Sequence, residues 1–166
     1  MIENTDLSVL VEPTLTWYEA NKRDLPWRKD KDPYHIWVSE IMLQQTRVEA
    51  VIPYYERFMT ALPTIEALAK CQEDPLLKLW EGLGYYNRVR NMQKAAQTIS
   101  AEYGGQMPQT YDGIVALSGI GPYTAGAIAS IAFDERVPAV DGNVLRILSR
   151  VSQDDSDILK DATKKR

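Results

Sequence analysis

Cysteine and histidine are almost missing from this sequence, which has one of each in 166 residues. The single cysteine, Cys71, excludes an intramolecular disulfide and fits a reducing, cytoplasmic environment. It also excludes a metal site built from several cysteines. We therefore expect no metal and no cofactor to be bound within residues 1–166.

The sequence also lacks long apolar runs and an excess of basic residues. No run approaches the roughly 18 residues of a membrane-spanning helix, and the first residues do not resemble a secretory signal, so no membrane partner is expected. The net charge of −4 argues mildly against a nucleic-acid partner. Binding through backbone N–H groups and a local basic patch does not require a basic protein.

Apolar residues recur at three- and four-residue spacing along nearly the whole chain, and no alternating pattern indicates a strand. The sequence therefore predicts an all-α fold of about nine or ten short helices. Thr64 and Asn87 are predicted N-caps. The predicted helices cover residues 7–21, 36–46 continued by 48–59, 64–69, 76–80, 88–103, 110–117, 122–133 and 144–151, with 154–166 expected to be helical as well.

A helical hairpin is predicted at residues 117–128. Gly119 and Gly121 flank one apolar residue, and Pro122 opens the next helical run, which is typical punctuation for two helices joined by a tight turn. Such a turn leaves the N–H groups of a helix start accessible, and an anion such as a phosphate can bind there.

Two carboxylates stand out. On a single helical wheel for residues 36–55, Glu40 lies within the apolar arc, where a carboxyl group must be paired or hold its proton more tightly, as a general acid does. A half-exposed Glu40, one bonded to backbone, or one paired with Arg47 is the structural alternative. Asp141 precedes Gly-Asn and a helix, which is typical of an N-cap or Asx turn. Two carboxylates flanking a sugar C–N bond would repeat the logic of glycoside hydrolysis.

Four motifs in order resemble the adenine-specific mismatch DNA glycosylases of the MutY type, which belong to the helix-hairpin-helix superfamily with endonuclease III. They are Trp-Val-Ser-Glu-Ile-Met-Leu-Gln-Gln-Thr at 37–46, Leu-Trp-Glu-Gly-Leu-Gly-Tyr-Tyr at 79–86, the hairpin at 117–128 and Val-Asp-Gly-Asn at 140–143. The resemblance implies a helix-hairpin-helix DNA glycosylase fold with a six-helix barrel. It also implies hydrolysis of the N-glycosidic bond of adenine mispaired with 8-oxoguanine or guanine in double-stranded DNA.

The resemblance gives each matching residue an expected role. Glu40 would protonate the adenine and help to activate water, Asp141 would stabilise the cationic sugar, Asn143 would orient the site, and Tyr123 would pack beside the sugar. Gln45 and Tyr85 would enter the duplex when adenine is flipped out. Further expected DNA contacts are Gly119, Gly121, Thr124 and Arg88, and the expected adenine pocket is lined by Arg23, Leu25, Trp27, Arg28 and Leu43.

Structural alternatives stay open for several of these residues. Trp80 and Tyr85 could be core aromatics, and Arg88 could belong to a surface stripe with Arg90 and Lys94. Endonuclease III has a nucleophilic lysine where this chain has Tyr123. A phenol cannot form an imine, so the sequence predicts a monofunctional glycosylase without strong lyase activity.

The resemblance also predicts the domain organisation. Residues 1–29 and 140–166 would belong to a second domain, around a barrel at 30–139. The family's four cysteines for a [4Fe-4S] cluster would lie beyond residue 166, so a cluster is expected only if the chain continues. We expect exposed apolar surface in the second domain, weak activity and a monomer in the bacterial cytoplasm. A non-catalytic DNA-binding module, an endonuclease III-like lyase and a protein-interaction segment remain alternatives.

Overall fold

The computed structural model describes residues 7–158 and 160. These residues form α-helices and 3-10 turns but no strand, which confirms the all-α fold class. No helix among them is long and apolar enough to cross a membrane. The α-helices are α1 (Val11–Asn21), α2 (Pro33–Leu43), α3 (Val48–Ala61), α4 (Ile65–Lys70), α5 (Glu73–Trp80), α6 (Asn87–Glu102), α7 (Tyr111–Val115), α8 (Pro122–Phe133) and α9 (Gly142–Val151), and the 3-10 turns are Leu7–Leu10 and Pro26–Arg28.

The chain divides into two compact units. The larger unit is Leu25–Ala139, and the smaller one combines the residues up to Asp24 with those from Val140 onward. The first boundary lies between residues 24 and 25, whereas the sequence placed it between residues 29 and 30. Leu25 and Trp27 account for the difference, because both are buried in the core of the larger unit.

Helix α2 runs through the core of the larger unit. Trp37, Val38 and Met42 are fully buried on it, and α2 packs against α3 and α8. Burial of each large apolar side chain contributes about 1.5–3 kcal/mol. Phe58 of α3 and Trp80 of α5 add an edge-to-face pair with ring centroids 6.0 Å apart. The core packing therefore holds the helix that carries Glu40 in place.

Several predicted helix starts are confirmed. Thr64 accepts a hydrogen bond from the Ala67 N–H at 3.1 Å, and α8 begins at Pro122 as expected. Three starts were predicted wrongly, one of them that of α5, which begins at Glu73 rather than at residue 76. Helix α2 begins near residue 33 rather than 36, because Asp32 caps it and accepts from the Tyr34 N–H at 2.8 Å. Asn87 is the first residue of α6, and no side chain caps that helix.

The prediction of one continued helix from residue 36 was wrong at Gln44–Arg47. Helix α2 ends at Leu43 and α3 begins at Val48. Between them Gln45 has a left-handed φ of 61°, which no α-helix continues through. The single wheel therefore placed residues of two separate helices on one face.

The two helices of the smaller unit leave apolar side chains exposed. Among the described residues of α1 and α9, none is buried. Leu15 is 58%, Trp17 64% and Ile147 55% exposed. Exposed apolar surface was expected in this part of the chain and is observed.

The segment after α9 differs from the prediction. Residues 152–158 are turn, bend and coil rather than helix. Gln153 has a left-handed φ of 54°, and the Asp154 carboxylate accepts from the Ser156 N–H at 2.9 Å, so a local turn replaces the helix. The remainder of the predicted helix, at 159 and 161–166, lies outside the described residues.

Candidate active site

Glu40 lies in the second half of α2 and is partly buried between Ser39 and Ile41, which are both buried. Helix α2 packs against α8, and Tyr123 in the first turn of α8 is 37% exposed. The larger unit therefore packs the helix of the predicted general acid against the second helix of the predicted hairpin. This packing is the central geometric feature of the candidate site.

The turn of the hairpin depends on Gly119. Its φ is 75°, and a Cβ added there would lie 2.6 Å from Cβ of Asn91 on α6. The Ile120 N–H donates to the Leu117 carbonyl at 3.2 Å and closes the turn. Gly121 occupies the N-cap position of α8, with φ −88°, and has open space where a side chain would begin.

The start of α8 presents main-chain N–H groups. Ala125 donates to the Gly121 carbonyl at 2.9 Å, and the first N–H groups of any helix precede the residues that have intrahelical acceptors. No side chain caps this end. Thr124, a predicted DNA contact, is only 3% exposed as a whole residue. The geometry fits an anion-binding helix start.

Two glycine variants separate the folding of this turn from its binding. We expect Gly119→Ala to destabilise the protein by about 1–2 kcal/mol, through left-handed strain and the contact with Asn91. Gly121→Ala should leave the melting temperature almost unchanged, because its backbone is ordinary and the space is open, but should weaken duplex binding where a phosphate approaches. Thermal unfolding and duplex titration measure the two effects. Equal melting temperatures for both variants would contradict this reading of the turn.

Asp141 and Asn143 form a connected polar group at the start of α9. The Asp141 carboxylate accepts from the Val144 N–H at 2.8 Å and from the Asn143 side-chain amide at 2.9 Å. These hydrogen bonds hold the pKa of Asp141 below its ordinary value, with the Val144 N–H as the largest cause. Asp141 is therefore a helix cap, as one reading of the sequence predicted, and also a stable carboxylate anion.

The sequence reasoning missed Arg146. Its guanidinium donates to the Asn143 side-chain oxygen at 3.2 Å, which fixes the amide so that its nitrogen faces Asp141. The spacing of three residues on one helix was the available signal. Arg146 is thus a supporting residue for the Asp141–Asn143 pair.

Gln45 and Tyr85 are presented at the surface of the larger unit. Both are exposed, Tyr85 by 68%. Both have left-handed backbones, with φ of 61° and 47°, which costs a non-glycine residue about 1–2 kcal/mol. Trp80 is fully buried. Of Trp80 and Tyr85, which the sequence left as possible core aromatics, only Trp80 is therefore a core residue.

The Arg88 side chain donates to backbone carbonyls. Its Nη1 donates to the carbonyls of Ile41 and Gln44 at 2.8 and 2.7 Å. Its Nη2 donates to those of Leu83 and Gly84 at 2.9 and 3.3 Å. Burial lowers the pKa of this guanidinium from its ordinary value. The side chain that was predicted to contact DNA is therefore engaged in an internal link between two loops, and its contact with DNA stays a prediction.

The residues predicted to line an adenine pocket lie in different surroundings. Leu25 and Trp27 are buried in the core, and Trp27 packs edge-on against Tyr55 with ring centroids 5.3 Å apart. Leu43 packs against this core, whereas Arg28 is exposed. Arg23 belongs to the smaller unit. An open groove of about 700 Å³, lined by Tyr54, Arg57, Ala61, Pro75, Lys78, Leu79 and Glu81, contains none of the predicted site residues.

The residues of this chain do not fit an iron–sulfur cluster. Cys71 is the only cysteine. It is partly buried after α4, its thiol donates to the Gln72 carbonyl at 3.4 Å, and burial raises its pKa. Within the described part of the chain, no group of three or more His, Cys, Asp or Glu residues is placed to hold a metal ion. No chemical step is therefore assigned to such a group.

The all-α fold and the glycine-containing hairpin between two helices together indicate a class of protein. Residues 38–166 match the sequence family described as HhH-GPD superfamily base excision DNA repair protein. That match covers most of the chain, and the chain belongs to this superfamily.

Individual relatives within the superfamily show a more specific similarity. The chain is 48% identical over 155 residues to the adenine DNA glycosylase of Rattus norvegicus, covering 88% of this chain and 30% of the relative. It is 49% identical to that of Homo sapiens, covering 82% and 27%. It is 48% identical to that of Buchnera aphidicola subsp. Acyrthosiphon pisum (strain APS), covering 82% and 39%. The chain thus spans well under half the length of these relatives.

Solved structures share the fold. A thermostable thymine-DNA glycosylase has a TM-score of 0.83 at 29% identity, covering 93% of this chain and 73% of that one. A non-covalent endonuclease III–DNA complex has a TM-score of 0.79 at 21% identity, covering 96% and 74%. The second likeness shows the fold alone.

Proposed function

We propose that this chain carries residues for hydrolysis of the N-glycosidic bond of adenine mispaired with 8-oxoguanine or guanine in double-stranded DNA. The observation that carries the proposal is the packing of α2, with Glu40, against α8 of the hairpin. Similarity to adenine DNA glycosylases supports the choice of base. The N–H groups at the start of α8 supply the phosphate contact.

The proposed reaction breaks the bond between the sugar carbon and the adenine nitrogen. Glu40 donates a proton to a ring nitrogen of the flipped adenine, and the bonding electron pair leaves with the base. The Asp141 carboxylate stabilises the cationic sugar that remains, as in glycoside hydrolysis. Water then attacks the sugar carbon and loses its proton to Glu40, which restores the acid.

A single-turnover excision assay tests the proposal. The 166-residue chain is mixed in excess with duplexes in which one adenine lies opposite 8-oxoguanine, guanine or thymine. Excess protein makes slow excision measurable. We expect abasic product from the first two duplexes and none from the third. Duplex binding without product from any of them would favour the non-catalytic DNA-binding module, and absence of salt-dependent binding would exclude both.

The chemistry at residue 123 gives a separate prediction. A phenol has no amine to form a Schiff base with the sugar, so the chain should not be trapped on abasic-site DNA by borohydride. Tyr123→Lys is the matched control, since its amine can attack the sugar carbon and the resulting imine can be reduced. Efficient trapping of the unaltered chain would show that the monofunctional assignment is wrong and would favour the lyase alternative.

A further inference from the structure

Arg88 connects two loops that are far apart in the sequence. One loop, Gln44–Arg47, follows α2, and the other, residues 81–86, precedes α6. Two of the four carbonyls that Arg88 binds, those of Ile41 and Gln44, lie at the end of α2 and just after it, and the other two, those of Leu83 and Gly84, lie in the second loop. Arginine has five N–H donors. Both Nη atoms donate to carbonyls, and the Nε atom is buried without a hydrogen-bond partner in the described part of the chain.

The accepting carbonyls lie next to the exposed residues. The Gln44 carbonyl and the Gln45 N–H belong to one planar peptide group, and so do the Gly84 carbonyl and the Tyr85 N–H. Arg88 donates to both carbonyls. It thereby fixes the peptide planes from which the left-handed backbones of Gln45 and Tyr85 depart.

The surroundings add to this constraint. The Trp80 indole N–H also donates to the Gly84 carbonyl, at 3.0 Å. The Arg88 Cζ lies 5.5 Å from the centroid of the Trp80 ring and 5.6 Å from that of Tyr85. A planar guanidinium within cation–π distance of both rings can bind both loops at once, whereas a lysine ammonium is a single point charge.

We propose that Arg88 is a positioning residue that presents Gln45 and Tyr85 together to the base stack of a DNA duplex. This inference rests on the proposed function, because it requires that the chain bind duplex DNA and unstack a base. Arg88 itself does not touch the nucleic acid. It acts through the backbones of the two exposed residues.

The test uses a duplex with the fluorescent base 2-aminopurine beside the mispaired adenine, so that unstacking increases the emission. We expect Arg88→Lys and Arg88→Gln to reduce this increase by about tenfold or more, because neither side chain has the planar set of donors that binds both loops at once. The slope of log Kobs against log salt should stay unchanged. The matched control is Arg90→Gln, whose exposed side chain pairs with Glu73 at 2.7 Å and whose loss should leave the increase within about twofold.

The opposite result has its own signature. If Arg88 contacts a phosphate, Arg88→Lys should retain the fluorescence increase, and Arg88→Gln should reduce the salt slope by about one. Either outcome overturns the inference. Tyr85→Ala removes one of the two presented side chains, together with its ring contact to Arg88, and leaves the four carbonyl partners of Arg88 in place. In combination with Arg88→Lys it should lose less than the two separate effects added together, since part of the effect of Arg88 acts through Tyr85.

Hydrogen exchange separates failure of this inference from failure of the proposed function. Arg88→Lys should accelerate amide exchange in residues 44–47 and 83–86 while α4 and α8 stay protected. Unchanged exchange in these loops would overturn the positioning role whatever the DNA result. If exchange is accelerated in Arg88→Lys but the unaltered chain does not bind duplex DNA, the proposed function is overturned. The presentation of Gln45 and Tyr85 to DNA is then overturned as well.

Discussion

Replacement of Glu40 by Gln is expected to abolish adenine excision while duplex binding is retained. The amide has nearly the same size as the carboxyl group but cannot donate a proton to the leaving base or accept one from water. Loss of a positioned general acid typically costs about 10²–10⁴-fold in rate. Folding should be preserved, because the Glu40 side chain is only partly buried and α2 is anchored by Trp37, Val38 and Met42.

The measurement is the single-turnover rate on a duplex with adenine opposite 8-oxoguanine, together with the dissociation constant for the same duplex. Glu56→Gln on α3 is the matched control, because Glu56 is exposed and lies outside the predicted site. It should change neither quantity by more than about twofold. A rate for Glu40→Gln within threefold of the unaltered chain would show that Glu40 is not the general acid.

Local chemistry was enough to predict much of the fold. Thr64, Thr110 and Pro122 mark helix starts because each satisfies or avoids an unpaired N–H within three residues, and all three lie where the sequence placed them. The Asp-Gly-Asn sequence likewise indicated that Asp141 caps a helix. Signals of this kind are contained in a few neighbouring residues.

The break after α2 could not be predicted in the same way. Leu43-Gln-Gln-Thr-Arg47 contains neither glycine nor proline, and an apolar periodicity continues across it. Gln45 adopts its left-handed backbone beside a carbonyl held by Arg88, which comes more than forty residues later. Tertiary contact overrides local preference here. The same contact gives the Arg88 guanidinium carbonyl partners that its charge and its sequence neighbours do not predict.

The sequence was enough to predict which residue types form the candidate site, but less so which residues hold them in position. Glu40 could be identified because it is a carboxylate within the apolar face of a helix, although the predicted helix wrongly continued into α3. Asn143 and its partner Arg146 are bonded at 3.2 Å, a contact that spacing permits but does not require. Residues that position others leave weaker patterns in a sequence than residues that cap or pack.

Two substitutions of Asp141 are expected to divide its structural role from its catalytic one. Asn caps helices about as well as Asp, so Asp141→Asn should leave the free energy of unfolding within about 0.5 kcal/mol of its original value. Asp141→Ala removes the acceptor of the Val144 N–H and should cost about 1 kcal/mol. Both variants should lose excision by about 10²-fold or more, since neither places a negative charge beside the cationic sugar.

The pH dependence of these variants follows from the lowered pKa of Asp141. A carboxyl group whose pKa is lower in the folded state stabilises the fold above its unfolded pKa, and that contribution is lost as the pH falls through the folded pKa. The contribution of the Asp141 carboxylate to the free energy of unfolding should therefore be lost only below about pH 4. Between about pH 5 and 8 the carboxylate stays charged, so Asp141→Asn should reduce the excision rate by one constant factor across that range. Full excision by Asp141→Asn, with loss only in Asp141→Ala, would mean that the carboxylate serves as a helix cap and takes no part in stabilising the sugar.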